Sequence, residues 1–139
     1  MQPQEYGPPI SLSVAKQVAE AAEAEAAANK WAMVIVIVDS TGHLVVLHKM
    51  DHAQYGSVAV AQAKAQTSVN FKRPSKVFED ALAGGGLNMR LLSTEGVCPV
   101  EGGVLLVADG KIIGAIGASG AYPTQDAQVA QAGAQAING

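Results

Sequence analysis

Apolar residues change their spacing several times along this chain, and each change marks an element. Val14, Val18, Ala21 and Ala22 recur at helical intervals after a segment broken by Pro3, Pro8 and Pro9. The pattern predicts a helix with Ser11 or Ser13 capping its free amides and Asn29 as its stop. Met33 to Val38 is continuously apolar and rich in β-branched residues, which suits a strand covered on both faces. Asp39-Ser-Thr-Gly42 then reads as a turn and Leu44 to His48 as the returning strand. Val58, Ala61, Ala65 and Val69 form the stripe of a helix from about Ser57 to Asn70. Pro74 interrupts it, and a short helix from Ser75 to Leu82 follows, ending at Gly84-Gly-Gly86.

The second half centres on Gly103 to Gly120, where two apolar runs flank Asp109-Gly110, the signal of a tight hairpin. Strict alternation puts Ile112, Gly114, Ile116 and Ala118 on one face, and Ile113, Ala115, Gly117 and Ser119 on the other. Glycine weakens a strand, so Gly114 and Gly117 imply close approach by a helix, another chain or a flat ligand; a packed helix is the simplest. Asn88 to Leu92 reads as a helical turn and Val97 to Glu101 as an edge segment. A last helix carries Val129, Ala132, Ala136 and Ile137, with Thr124 as its cap and Asp126 in its first turn. The order α-β-β-α-α-β-β-β-α predicts an α+β fold, one antiparallel sheet flanked by helices in profilin-like layers. Residues 1–10 are expected to be an irregular arm and 11–139 a single domain.

A chain of 139 residues is long enough for one domain with a core. It is 49% apolar but only 4% aromatic, so its small side chains bury little area each, and association of subunits is expected to add stability. Net charge of -3 without a basic run argues against nucleic acid. No apolar run reaches membrane-spanning length, and the N-terminus lacks the basic-then-apolar order of a signal peptide. Cys98, the one cysteine, rules out an intrachain disulfide. These features favour a cytoplasmic protein.

Among the three histidines, His43 and His48 fall on opposite sides of one strand, which is not metal-ligand spacing. His52 lies beside Met50 and Asp51 at a strand-to-helix junction, and it is the candidate metal ligand because His or Met can hold haem iron. Ser57 opens the next helix, and Ser119 and Gly120 end a strand; all three are candidate ligand-binding positions. Gly117-Ala-Ser-Gly-Ala121 approaches a nucleophile elbow but lacks its last glycine and a matching His and acid. Arg73, fixed before Pro74, suits a carboxylate or propionate. Lys64, set among alanines, Glu101, beside Gly102-Gly103, and Asp126 are the candidate catalytic residues.

Val38-Asp-Ser-Thr-Gly-His-Leu44, Lys49-Met-Asp51 and Ala63-Lys-Ala65 resemble the GlcG/HbpS-like, or haem-degrading domain, family. So do Glu101-Gly-Gly103, Asp109-Gly-Lys111, Ile113-Gly-Ala-Ile-Gly117, Ser119-Gly120, Gln125-Asp126 and Val129-Ala130. The family includes the C-terminal domain of propanediol-utilisation proteins. The resemblance implies a sheet of about five antiparallel strands with helices on both sides, in homo-oligomers built from dimers up to octamers. It also implies haem or a similar tetrapyrrole as ligand, with a role accessory to small-molecule catabolism. Lys49-Met-Asp-His52 departs from the usual Arg-Met-Asp-Gly, and Leu105 stands where many relatives have proline. A tetrapyrrole carrier would use the Met50–Ser57 junction and the Gly117–Asp126 turn. The alternative is an isomerase, hydratase, lyase or hydrolase acting on a small carboxylate, with Arg73 and Lys64 anchoring it and Glu101 or Asp126 moving the proton. A packing subunit without ligand is the third reading.

Overall fold

Two hairpins build the sheet. The computed structural model describes residues 4–138, so residues 1–3 of the expected arm, and Gly139, lie outside the described residues. The first hairpin joins β1 (Val34–Asp39) to β2 (Leu44–Lys49), and the second joins β3 (Gly103–Ala108) to β4 (Lys111–Ser119). They meet through β1 and β4, giving the antiparallel order β2-β1-β4-β3. Central placement explains the unbroken Val34–Val38 run, whose side chains are all buried. Asp39 closes the first turn: its Oδ1 accepts from Thr41 N at 2.8 Å, Thr41 Oγ1 at 2.6 Å and His43 N at 3.2 Å. Asp109 and Gly110 both take positive φ in the second turn, as a two-residue hairpin requires.

Helix α1 (Leu12–Ala28) and helix α4 (Pro123–Asn138) cover one face, packing Val18, Ala22 and Val129 on Ile35, Ile37 and Ile116. Ser11 caps α1 by accepting from Val14 N at 3.2 Å. Helix α2 (Ser57–Phe71) covers the other face, laying Ala61, Ala65 and Val69 over Val34, Val36 and Ala115. The α+β layers match the sequence pattern. Helix α3 (Lys76–Ala83) and a 3-10 segment, Gly86–Leu92, lie outside these layers, and α3 has no buried residue.

Two expectations are corrected. The sheet has four strands among the described residues, not five. Val97–Glu101 does not pair, because Pro99 lacks an N–H and the neighbouring amides go elsewhere: Cys98 N donates to Thr67 Oγ1 at 2.8 Å and Glu101 N to Glu79 Oε1 at 3.1 Å. Ile112 and Ile113 also exchange faces. The β3–β4 register slips between Leu106 and Val107, where two residues of β4 face one of β3, so Ile112 points to the α2 side.

The N-terminal segment is tied down despite its prolines. Ile112 N donates to Glu5 O at 2.8 Å, Gly7 N to Ile112 O at 2.8 Å and Ile10 N to Ile113 O at 2.9 Å. Close approach at Gly117 comes from α2, since a Cβ there would lie 2.7 Å from Ala65 N. The helix is therefore what Gly117 admits, whereas Gly114 lies against the β1 backbone at Val38 and Asp39.

Candidate functional site

Five of the residues singled out by sequence meet where β4 ends. Lys64, on the buried side of α2, donates from Nζ to Asp126 Oδ2 at 2.8 Å and to Ala118 O at 3.0 Å. Asp126 sits in the first turn of α4, and its Oδ1 accepts from Ala121 N at 2.9 Å, so the carboxylate also fixes the turn into that helix. That bond, and one from Tyr122 N to Gln125 Oε1 at 3.1 Å, do the capping expected of Thr124. Ser119 Oγ donates to Ser57 Oγ at 3.0 Å, and Gln54 Nε2 donates to the same hydroxyl at 2.9 Å. Gly120, at φ +156, packs its Cα edge against Ala32 and Met33. Gly102 presses on the lysine, and a Cβ there would stand 2.8 Å from Nζ.

This group is an interior, not a cleft. Lys64 and Asp126 are 1% and 3% exposed, and Ser57 and Ser119 are buried with them. The ammonium and carboxylate neutralise each other and join α2, β4 and α4. Glu101, next to Gly102, makes no bond to this pair among the described residues. It is half-buried, and its charge acts on Lys76, whose pKa is raised first by the bond to Asp80. Arg73 is exposed at the far end of α2, a helix of 15 residues and so about 22 Å long. There its Nε donates to Phe71 O at 2.8 Å and its guanidinium lies 5.9 Å from the Phe78 ring. Among the described residues neither Glu101 nor Arg73 shares a hydrogen bond or ion pair with the lysine, whose partners are Asp126 and Ala118.

Open surface lies instead at the β2–α2 junction. His52 is exposed and takes φ +69, in a left-handed bend that projects it from the chain. It makes no hydrogen bond among the described residues. With Lys49, Ala53, Gln54 and Tyr55 it lines a depression of about 450 Å³. Lys49 Nζ lies 5.7 Å from the Tyr55 ring centre, and Tyr55 is 86% exposed. Across Lys49 a second depression, of about 490 Å³, is lined by Glu23, Lys30, Trp31, Met50 and Asp51 among others. Glu23 is already engaged, since its Oε1 lies 3.0 Å from His48 Nδ1. The Met50 sulfur is engaged too, accepting from Met33 N at 3.4 Å.

Sequence reasoning did not single out Lys30, Trp31 or Lys49, and reached Tyr55 only as part of the Met50–Ser57 junction. Aromatic residues are scarce in this chain, so a Trp beside a Lys and a Tyr just before a helix were the available signals. No group of three or more His, Cys, Asp or Glu is gathered as a metal site among the described residues. None of the helices described is long and apolar enough to cross a membrane.

The chain is 35% identical to Protein GlcG of Escherichia coli K12 over 110 residues, 79% of this chain and 81% of the relative. Its fold matches the Klebsiella pneumoniae protein ORFY with a TM-score of 0.89 and 26% identity, covering 99% of this chain and 97% of that one. It also matches a crystal structure of a PduOC–haem complex with a TM-score of 0.84 and 30% identity, covering 94% and 96% of the two chains. The family model described as haem degrading protein HbpS-like matches residues 10–135, and the chain belongs to that HbpS-like family.

Proposed function

We propose that this chain binds haem or a related tetrapyrrole on the open surface around His52. The observation that carries the reading is an exposed imidazole without a hydrogen-bond partner among the described residues, set in a depression beside Lys49 and Tyr55. The donor chemistry fits the group. A neutral imidazole would serve as a ligand for iron, Lys49 and Lys30 would offer cations to carboxylates of the group, and Tyr55 and Trp31 would offer flat apolar faces. Met50 would be a poorer ligand for iron than His52, because its sulfur already accepts a hydrogen bond from Met33 N. The likeness to a PduOC–haem complex over nearly the whole chain supports the same ligand class. Bound haem would supply an iron centre for electron or small-molecule chemistry. The chain's own part would be to hold the macrocycle at this surface.

The catalytic alternative has less support. Two of its four residues, Lys64 and Asp126, spend their charges on each other in the interior.

Hemin titration tests the reading. The wild-type protein should shift the Soret band and saturate at a fixed stoichiometry, and His52→Ala should weaken binding by tenfold or more. Absence of any saturable shift in the wild type would end the proposal; an unchanged spectrum in the variant would remove His52 as ligand.

A further inference from the structure

Four residues other than glycine hold a left-handed backbone among the described residues: Lys30 at φ +61, His52 at φ +69, Lys72 at φ +58 and Asp109 at φ +52. A side chain is strained there and glycine is not, so a side chain kept at such a position needs a use that offsets the strain. Asp109 has one in the tight turn that it makes with Gly110. Lys72 closes α2, and its Nζ lies 4.7 Å from the centre of the Tyr6 ring. Lys30 and His52 differ: neither side chain makes a hydrogen bond or an ion pair among the described residues.

Lys30 follows α1 in a Schellman cap, in which Lys30 N donates to Ala27 O at 3.0 Å and Trp31 N to Ala26 O at 2.9 Å. Glycine is the usual residue at that point, and these bonds use only the lysine's backbone. The exposed side chain lines the depression of about 490 Å³ together with Trp31, Lys49 and Asp51. Glu23 is bonded to His48, which leaves Asp51 as the lining acid without a partner among the described residues. His52 lines the neighbouring depression, and Lys49 borders both. The two strained side chains that the fold does not use therefore stand on one open surface.

We infer that Lys30 is kept in this conformation as a specificity determinant, selecting tetrapyrroles that carry free carboxylates over those whose rim is esterified or amidated. The inference rests on the tetrapyrrole reading and names the class within it. An ammonium meets a carboxylate with a hydrogen bond and the attraction of opposite charges, but an ester or amide oxygen with the hydrogen bond alone. Lys49 is the less selective cation, since its Nζ already lies 5.7 Å from the Tyr55 ring. The strain at Lys30 is borne whether or not ligand is present, so selectivity here is held at the expense of stability.

Melting of the ligand-free protein, with titrations by hemin and by its dimethyl ester, tests the inference on the full chain. Lys30→Gly removes both cation and strain, whereas Lys30→Gln removes the cation and keeps the strain. Lys30→Gly should melt a few degrees above wild type, and Lys30→Gln at about the wild-type temperature. Both should bind hemin about two- to fivefold more weakly, the scale of one surface ion pair, and bind the ester as wild type does. Wild type should prefer hemin to the ester, and added salt should reduce that preference. Unchanged hemin affinity in both variants overturns the inference, as does a wild type that takes the ester as tightly as hemin. So does a Lys30→Gly protein that melts below wild type, since the lysine would then serve the fold. In these three cases a saturable Soret shift with hemin keeps the tetrapyrrole reading; its absence in wild type removes both.

Discussion

Lys64 Nζ and Asp126 Oδ2 stand 2.8 Å apart in an interior that leaves neither side chain more than 3% exposed. Because Asp126 also holds the Ala121 amide and Lys64 also holds the Ala118 carbonyl, one ion pair fastens two helices to the end of β4. Removing either partner strands a charge out of water. Asp126→Ala and Lys64→Ala should each lose about 3–5 kcal/mol of unfolding free energy in urea titrations. A double change to apolar residues of similar volume, Lys64→Met with Asp126→Leu, should cost far less than the sum of the single changes. Additive losses would mean that the two groups act independently.

Glycines divide according to what stands against them. At Gly117 a methyl group would press on the α2 backbone, 2.7 Å from Ala65 N, and the helix cannot retreat without opening the Val34–Ala65 layer. Gly117→Ala should therefore destabilise by about 1–3 kcal/mol, the usual range for overpacking. Gly56 has nothing within 4 Å of its would-be Cβ and already takes φ -60 at the start of α2. Gly56→Ala should stabilise by about 0.4–1 kcal/mol, mostly by restricting the unfolded chain. Thermal melts of the two variants should move in opposite directions.

These contrasts show what the sequence could and could not reveal. The β-branched run at Val34–Val38 and the Asp109-Gly110 turn are local signals, and both elements stand where the pattern put them. Ile112 and Ile113 defeat strict alternation because a bulge depends on the partner strand, which the pattern of one strand does not contain. The fifth strand fails for a similar reason: Thr67 and Glu79, far off in the chain, take the amides that a ladder would need. Lys64 and Asp126 are 62 positions apart, so their residue types marked them as chemical while only the fold makes them partners. His52 carried a local signal, its place at a strand-to-helix junction. Tyr55 and Trp31 carried only their rarity.

Acid should loosen the first hairpin before the rest. Burial works against the charge of Asp39, but bonds from the Thr41 hydroxyl and amide and the His43 amide outweigh it, with help from the His43 charge. The net effect is a pKa below the ordinary 3.8. A carboxylate depressed on folding contributes stability that is present above its unfolded pKa, about 3.9, and is lost as pH falls through the folded value. The urea midpoint of the wild type should thus exceed that of Asp39→Ala by a constant amount above about pH 5, and the gap should narrow below about pH 4. A gap that stays level down to pH 2 would mean that the turn does not depend on the ionised form.

Cys98 offers a chemical probe of how the 96–103 segment sits on α2. The thiol is half-buried, and burial pushes its pKa above the usual 9.0, while the Lys64 charge and the Val100 amide pull part of the way back. Since the thiolate is the nucleophile, alkylation by iodoacetamide at pH 8 should run several-fold slower than for a free thiol such as glutathione. Replacing Lys64 by methionine removes the one cation among these influences, so in Lys64→Met any surviving fold should react more slowly still. Loosening of the segment would act the other way, by exposing the sulfur. The direction of the change in rate therefore separates lost electrostatics from lost packing, and a wild-type thiol as fast as glutathione would mean that this segment does not rest on the helix as described.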